Sequence, residues 1–293
     1  MNINQRISII IVNFNGLKDT LELLSSIDRF LNHDFVEVIV VDNGSVIDET
    51  IRIKSIYPNT KTIRSNQNLG FAGGNNLGIK ESVGEYIILL NNDTLLIDNS
   101  LMQVPALLEI DGSVGVISPK ILFLEPSGYI QYAGYSFMSS ITIRNKTIGF
   151  MEKDNGVHDL RLETPYSHGA AMILRRNVIE KVGLMPEVFF LYYEEMDWCE
   201  QIRAKGIKIM YEPAITIIHK EGMSVGKQSP MKKYYMVRNR LLFAKRNRKG
   251  VLRMLSVFYQ LFIAVPKDIA LLVIKGEVRM ALASLKGAIS FLI

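Results

Sequence analysis

Cysteine is nearly absent: Cys199 is the single one in 293 residues. No internal disulfide can form, and a reducing, cytosolic setting is expected. No glycine-rich stretch is followed by Gly-Lys-Ser/Thr, which excludes a Walker phosphate loop, and the glycine spacing of a dinucleotide fingerprint is missing too. Internal repeats, low-complexity tracts and a nucleophilic serine or cysteine constellation are also lacking. The opening residues, MNINQRISIIIVNF, do not read as a secretory signal. Their apolar run is short, and Asn-Phe-Asn-Gly is no small-residue cleavage site. Long hydrophobic runs are scarce. Leu255 to Val265 spans 11 residues before Pro266 and Lys267-Asp268 interrupt it, and Ile269 to Ile274 is shorter still. A membrane-crossing helix needs about 20 apolar residues, so a simple crossing is not expected.

What is present describes a globular protein. Hydrophobic residues make up 48% and charged residues 22%, enough for a full core. The net charge of +5 suits an anionic partner such as nucleotide phosphates, acidic lipid or nucleic acid. The basic run Lys245 to Lys249 has no nucleic-acid recognition motif beside it, so no nucleic-acid partner is expected.

Strands and helices alternate along the first hundred residues. Ile7 to Val12 is a β-branched run that ends in Asn13-Phe14-Asn15-Gly16, a buried strand followed by a turn. Leu21, Leu24, Ile27 and Leu31 lie at helical spacing. Val36 to Val41 is a second strand, ending in Asp42-Asn43-Gly44-Ser45, and a polar helix around 48–56 follows. Thr60 to Arg64 reads as a third strand, Asn66 to Gly78 as a Gly/Asn-rich loop, and Tyr86 to Leu90 as a fourth strand ending in Asn91-Asn92-Asp93. This order predicts an α/β fold, a mostly parallel central sheet with helices on both faces. Ligands then bind beyond the carboxyl ends of the strands, where these polar clusters lie. Further on, Val114 to Ser118 and Ala171 to Leu174 read as strands and Val178 to Val182 and Met196 to Lys205 as helices. Ile207 to Met210 and Ile215 to Ile218 read as two short strands. From Pro230 the chain becomes basic and helical. We expect a catalytic domain over 1–225, its nucleotide-binding half about 1–100 and acceptor half about 101–225, and a helical segment over 226–293.

Five places could carry chemistry. Asp42, at a strand end, can accept hydrogen bonds from a pyrimidine N3–H or ribose hydroxyls, or serve as a turn aspartate. The loop from Asn66 to Asn76, with Asn68, Gly74 and Asn75, allows close backbone approach to sugar and phosphate oxygens, or is a surface turn opening a helix. Asp93, flanked by Asn92, can hold a hard divalent cation together with a donor's phosphates, or cap a turn. In Tyr192-Tyr193-Glu194-Glu195-Met196-Asp197, adjacent carboxylates disfavour mutual ionisation, so one could be tuned as a general base. The alternative is a negatively charged first helical turn. His219 is a metal ligand or a solvated strand-end histidine.

Taken in order, VDNGS, NxNxGFAGGNN, LLNNDT, GAAMILRR, FFLYYEEMDWCEQIRAKG and the later His219 resemble the family 2 glycosyltransferases of GT-A fold. The resemblance covers about residues 6–245 and is nearest to the bacterial rhamnosyltransferase-like branch that builds surface polysaccharides. It implies that Asp42 reads the nucleotide base and that Asn13, Gly16 and Asn43 line the nucleotide loops. It implies Asp93 and His219 as ligands of Mn2+ or Mg2+, and Glu195 as the base, with Glu194 and Asp197 as substitutes. His168, Gly169 and Ala170 would border donor sugar and acceptor. Two departures stand out: Asn91 and Asn92 leave the metal motif one carboxylate, and the base is Glu where the family usually has Asp.

The expectation is therefore an inverting glycosyltransferase with a dTDP- or UDP-sugar donor, dTDP-rhamnose favoured, and a saccharide or lipid-linked acceptor. A nucleotidyltransferase would show a basic Gly-rich loop near the N-terminus, which residues 13–19 lack. A non-catalytic sugar-nucleotide-binding module is the remaining rival. The stretch from Tyr234 through Arg238, Asn239, Arg240, Lys245, Arg246, Arg248 and Lys249, with the apolar runs after it, is expected to attach to the inner face of the cell membrane as an interfacial helix. The other use of this segment would be packing on the catalytic domain or a homodimer interface.

Overall fold

The structure, a computed structural model, describes residues 7–220 and 229–292. The expected boundary at 225–226 lies outside them. The nucleotide half contains β1 (Ile7–Asn13), α1 (Leu17–Phe30), β2 (Val36–Asp42), α2 (Thr50–Ile56), β3 (Lys61–Arg64), α3 (Gly70–Glu81), β4 (Tyr86–Asn91) and β5 (Thr94–Leu96). Then come α4 (Val104–Glu109), β6 (Val114–Phe123), β7 (Ile130–Tyr132), β8 (Leu162–Glu163), β9 (Ala171–Arg175), α5 (Arg176–Val182), α6 (Glu194–Ala204) and β10 (Lys208–His219). The helical region comprises α7 (Pro230–Asn247), α8 (Gly250–Tyr259), α9 (Val265–Ile274) and α10 (Val278–Leu292).

One sheet runs in the order β3-β2-β1-β4-β9-β6-β10-β5. Its first four strands are parallel, as the strand–helix alternation predicts. The antiparallel β9, between β4 and β6, makes the second half mixed. Strand side chains alternate between two cores. Ile9 and Ile11 face α1 through Leu23, Leu24 and Ile27. Ile10 and Leu89 face the other side, where α3, α5, α6 and α7 contribute Ala72, Val178, Trp198 and Phe243. With both faces covered, the strands read as unbroken apolar runs.

Three local expectations are corrected. The Gly/Asn stretch expected as a loop over 66–78 becomes α3 from Gly70 on. Glycine disfavours a helix interior, yet here it permits close packing. A Cβ on Gly78 would lie 2.4 Å from Ile10 Cγ2, and one on Gly74 2.8 Å from Val12 Cγ1. The two strands expected at 207–210 and 215–218 are one, β10, carried through a bulge between Glu212 and Thr216. The two apolar runs after residue 250 form one continuous helix, Gly250–Ile274. A π-helical turn over Gln260–Ala264 sits just before Pro266, where a proline ring would otherwise clash with the carbonyl four residues back. That helix is long and apolar enough to cross a membrane, by length and composition.

The glycine packing has a measurable consequence. Gly78→Ala should destabilise the fold by about 1–3 kcal/mol, as overpacking of a tight contact does, read as a lower urea midpoint at unchanged slope.

Candidate active site

Register builds the site. Asn13 is paired with Asp42 and Val12 with Asn91, so the ends of β1, β2 and β4 lie side by side. β5 turns back beside β10, pairing Thr94 with His219, and the Lys220 N–H donates to the Asp93 carbonyl at 2.8 Å. These bonds bring Asp93 Oδ1 to 3.1 Å from His219 Nε2 across 126 residues of chain. Gln131 Oε1, on β7, is 2.8 Å from His219 Nδ1. Burial works to raise the Asp93 pKa, but the His219 hydrogen bond and charge, with Lys220, lower it on balance. Among the described residues no group of three His, Cys, Asp or Glu side chains converges as a metal cage.

Facing this pair are Glu194 and Glu195, the first residues of α6. The approach to them is strained: Phe190, Tyr192 and Tyr193 hold φ of 68°, 69° and 78°. Left-handed backbone at bulky residues persists only where the surroundings enforce it. Here α7 does so. Asn239, fully buried, shares its amide N–H groups among the carbonyls of Phe189, Leu191 and Tyr192 at 2.9, 2.7 and 2.9 Å. Arg240 Nε donates to Tyr193 Oη at 2.8 Å. Glu194 is buried, and its Oε2 has no hydrogen-bond partner. Burial, then repulsion from Glu195, pushes its carboxyl up to about 8. Burial also raises Glu195, against backbone N–H groups that favour its charge.

A cleft of about 360 Å³ collects Asp93, His219, Glu194, Glu195, His168, Gly169 and Ala170, with Phe71, Tyr135 and Tyr192 among its walls. The Ala170 carbonyl accepts the Asn91 N–H at 2.9 Å, so 168–170 crosses the end of β4. His168 accepts the Ala170 N–H at Nδ1 and stacks on Tyr135. Burial, then the neighbouring His219, pushes its pKa down to about 3, so it stays neutral.

Other sequence candidates lie elsewhere. Asp197, offered as a substitute base, is buried on the far side of α6, held by Arg246 and Asn247 of α7 and by Gln201. Its oxygens are occupied, and it anchors α6 instead. Asp42 is fully buried, accepting from Arg64 and from the Ser45 and Glu49 N–H groups. It organises the turn after β2, and Arg64 is the polar group that reaches the surface. Asn13 bonds Glu49 and Thr20, and Asn92 bonds Thr20 and the Gly16 carbonyl, so both brace the start of α1. Gly16 lets Asn92 approach, since a Cβ there would lie 2.4 Å from Asn92 Nδ2. Asn43 and Asn68 tie the turn after β2 to the start of α3. Gly74 packs on Val12, and Asn75 bonds the Phe71 carbonyl within α3. These roles correct the expectation that Gly74 and Asn75 offer themselves to a ligand.

Part of the basic stretch of α7 is engaged within the domain. Arg238 bonds the Val188 and Phe189 carbonyls, Arg246 holds Asp197, and Arg248 pairs with Glu200. The site roles of Gln131, Tyr135, Arg64 and Asn239 escaped the sequence reading. Each lies in a segment without periodic pattern or acts on a loop far away in sequence, so no local signal marks it.

The α/β sheet with a ligand cleft at its carboxyl edge defines a GT-A-type nucleotide-sugar transferase fold. A mannosyltransferase from Pyrobaculum calidifontis, solved with GDP-Man and Mn2+, superposes with a TM-score of 0.61 at 14% identity, covering 99% of this chain and 88% of that one. GalNAc-T7, solved with UDP, GalNAc and Mn2+, gives 0.65 at 15% identity, covering 93% and 58%. The glycosyl transferase family 2 profile matches residues 8–183, and the chain belongs to that family. It is a glycosyltransferase acting with nucleotide-sugar donors. Among curated relatives, the low-salt glycan biosynthesis hexosyltransferase Agl10 of Haloferax volcanii is 28% identical over 244 residues, 80% of this chain and 74% of that protein. The dTDP-rhamnosyl transferase RfbF of Shigella flexneri is 24% identical over 267 residues, 85% of this chain and 83% of that protein.

Asn239→Ala would leave buried carbonyls without donors, a loss of about 1–3 kcal/mol. We expect a lower melting temperature together with a kcat that falls more than donor KM rises, because the loop it holds carries Glu194 and Glu195. Steady-state kinetics of the variant measure the split.

Proposed function

We propose that this chain is an inverting glycosyltransferase in which Glu195 is the general base. The observation that carries the reading is the single cleft holding a raised carboxyl pair opposite the Asp93–His219 pair. A Glu195 oxygen takes the proton of an acceptor hydroxyl as that oxygen attacks the anomeric carbon. The bond from that carbon to the donor phosphate oxygen breaks, and the nucleoside diphosphate leaves with the electron pair. One in-line displacement inverts the anomeric centre and needs no covalent intermediate. Glu194, protonated up to about pH 8, keeps a second negative charge away from its neighbour. His168, Gly169 and Ala170 border the reacting sugar, and Asp42 acts on the nucleotide through Arg64.

The Asp93–His219 donor set fits a divalent cation. Asp93 supplies a carboxylate and His219 an imidazole, donor types that divalent cations take, and these two side chains would hold the ion. With Nδ1–H donated to Gln131, Nε2 can meet Asp93 through a proton or a cation. Two protein ligands leave room for donor phosphates, the usual arrangement for Mg2+. A bound Mn2+ or Mg2+ would supply positive charge at the departing diphosphate. The Mn2+ complexes of the two solved relatives support this reading.

The rhamnosyl relative supports dTDP-rhamnose as donor ahead of UDP-hexoses. A saccharide or lipid-linked acceptor and a place at the inner face of the cell membrane complete the reading. In the Gly250–Ile274 helix, Ser256, Gln260 and Asp268 turn inward to Ile141, Thr142 and Lys233, while Leu255, Phe258, Phe262 and Ile263 are exposed. This exposed apolar side supports an interfacial helix that meets the domain through Ser256, Gln260 and Asp268.

Glu195→Gln should lower kcat by about 10²–10⁴-fold, the usual contribution of a general base, with donor binding retained. Glu194→Gln should keep near wild-type transfer at pH 7, because an amide resembles the protonated acid. The folded state holds the Glu194 proton up to about pH 8 whereas the unfolded chain releases it in the ordinary carboxylate range, so wild-type stability falls as pH rises between the two. Glu194→Gln should therefore melt higher than wild type at pH 8. Near wild-type rates for Glu195→Gln would reassign the base.

A panel of nucleotide sugars, assayed for transfer and hydrolysis with EDTA and with added Mn2+ or Mg2+, tests donor and metal together. Activity should peak with dTDP-rhamnose, vanish in chelator and return with either ion, and Asp93→Ala should weaken ion-dependent binding of the nucleoside diphosphate. Full activity in chelator would refute the metal assignment.

A further inference from the structure

A second recess lies beside the cleft, between α7, α9, α10 and the loop at Arg144. It measures about 260 Å³. Four cations line it, Arg144, Lys232, Lys233 and Arg240, with one carboxylate, Asp268. Lys233 pairs with Asp268 at 2.8 Å, and Asp268 also accepts from Ser284 Oγ at 2.8 Å, so that carboxylate is already engaged. The other three cations have no carboxylate partner among the described residues. Lys232 Nζ lies over the Tyr192 ring, 5.5 Å from its centroid, and Arg240 donates through Nε to Tyr193. Arg246 and Arg248, further along α7, are by contrast paired with Asp197 and Glu200. With one carboxylate against four cations, the recess carries excess positive charge, so an anion that fills it is favoured.

The rest of the lining is apolar: Met236, Val237, Ala264, Val265 and Met280. Ala264 and Val265 belong to the helix whose outer side exposes Phe258, Phe262 and Ile263. A ligand for the recess therefore carries negative charge at one end and can rest an apolar chain against this lining. Tyr192 and Tyr193 link the recess to the reacting cleft, since Lys232 and Arg240 of the recess touch them. Tyr192 lines the cleft, and Tyr193 immediately precedes Glu194.

We infer that the recess formed by Arg144, Lys232, Lys233 and Arg240 binds the phosphate of an acceptor carried on an apolar chain, whose sugar then reaches Glu195. This rests on the glycosyl-transfer reading and adds the class of acceptor to it. The cations hold the phosphate, the apolar lining of the recess accompanies the chain, and Tyr192 and Tyr193 lie between phosphate and attacking hydroxyl.

The test uses the full-length chain and three probes measured by calorimetry: farnesyl diphosphate, inorganic pyrophosphate, and phosphatidylglycerol vesicles. Farnesyl diphosphate should bind, and more tightly than pyrophosphate, which lacks the chain. The double variant R144A/K232A should weaken its binding by about 100-fold, about tenfold per charged contact removed, with nucleotide-sugar hydrolysis and melting temperature unchanged. Arg144 is exposed and Lys232 half-buried, and neither lines the reacting cleft. Equal affinity of wild type and variant would overturn the proposal, as would no binding of farnesyl diphosphate. Binding to the vesicles that farnesyl diphosphate fails to displace would also overturn it, in favour of a general anionic surface. Wild-type hydrolysis of nucleotide sugars is read in the same sample without probe, so failure of the transfer reading is seen separately.

Discussion

The hold of α7 on the segment before α6 is the constraint on which the site depends. Phe190, Tyr192 and Tyr193 occupy left-handed backbone that bulky side chains avoid. Each such residue costs on the order of 1 kcal/mol or more and needs outside enforcement. Asn239 supplies it by bonding three carbonyls, and the ion pair from Arg246 to Asp197 fixes the helix that follows. Asp197 is buried, so removing its partner would leave an uncompensated charge, a change that typically costs about 3–5 kcal/mol. Strain in the loop and burial of the ion pair are thus two parts of one arrangement that aims Glu194 and Glu195 into the cleft.

Burial also separates the roles of similar groups. Three carboxylates within four residues begin α6, yet they meet different surroundings. Asp197 finds Arg246, Asn247 and Gln201, while Glu194 finds no partner for one oxygen and keeps its proton. Glu195 lines the open cleft beside Gly169. The same division separates the cations of α7. Arg238, Arg246 and Arg248 are consumed by the catalytic domain, whereas Lys232 and Arg240 line a recess with no carboxylate of their own.

Much of this was legible in the sequence. Apolar runs such as Ile7 to Val12 and Val36 to Val41 announce buried parallel strands, because a strand covered on both faces has no polar side to show. Polar residues at the ends of such runs mark where ligands gather. Asp93, Glu194, Glu195 and His219 could be nominated because charged or titratable groups at strand ends and helix starts need a reason to be there. What misled was local composition. A stretch with four glycines reads as a loop, but Gly74 and Gly78 sit where α3 presses on Val12 and Ile10. Pro266 reads as a stop, but a π-turn absorbs it within a continuous helix.

The sequence by itself determined the alternation of strand and helix, the family and the nomination of the acidic and histidine candidates, since these follow from periodicity, residue type and motif order. Tertiary structure alone decided which candidates meet. Asp93 and His219 become neighbours only because β5 pairs antiparallel with β10, and Asp42 withdraws beneath Arg64 only once β2 and β3 lie side by side. Asn239 gains its role only when α7 folds back over a loop about fifty residues earlier. Hydrogen bonds and burial between distant segments have no local period, so they are written in the folded chain and not in any window of the sequence.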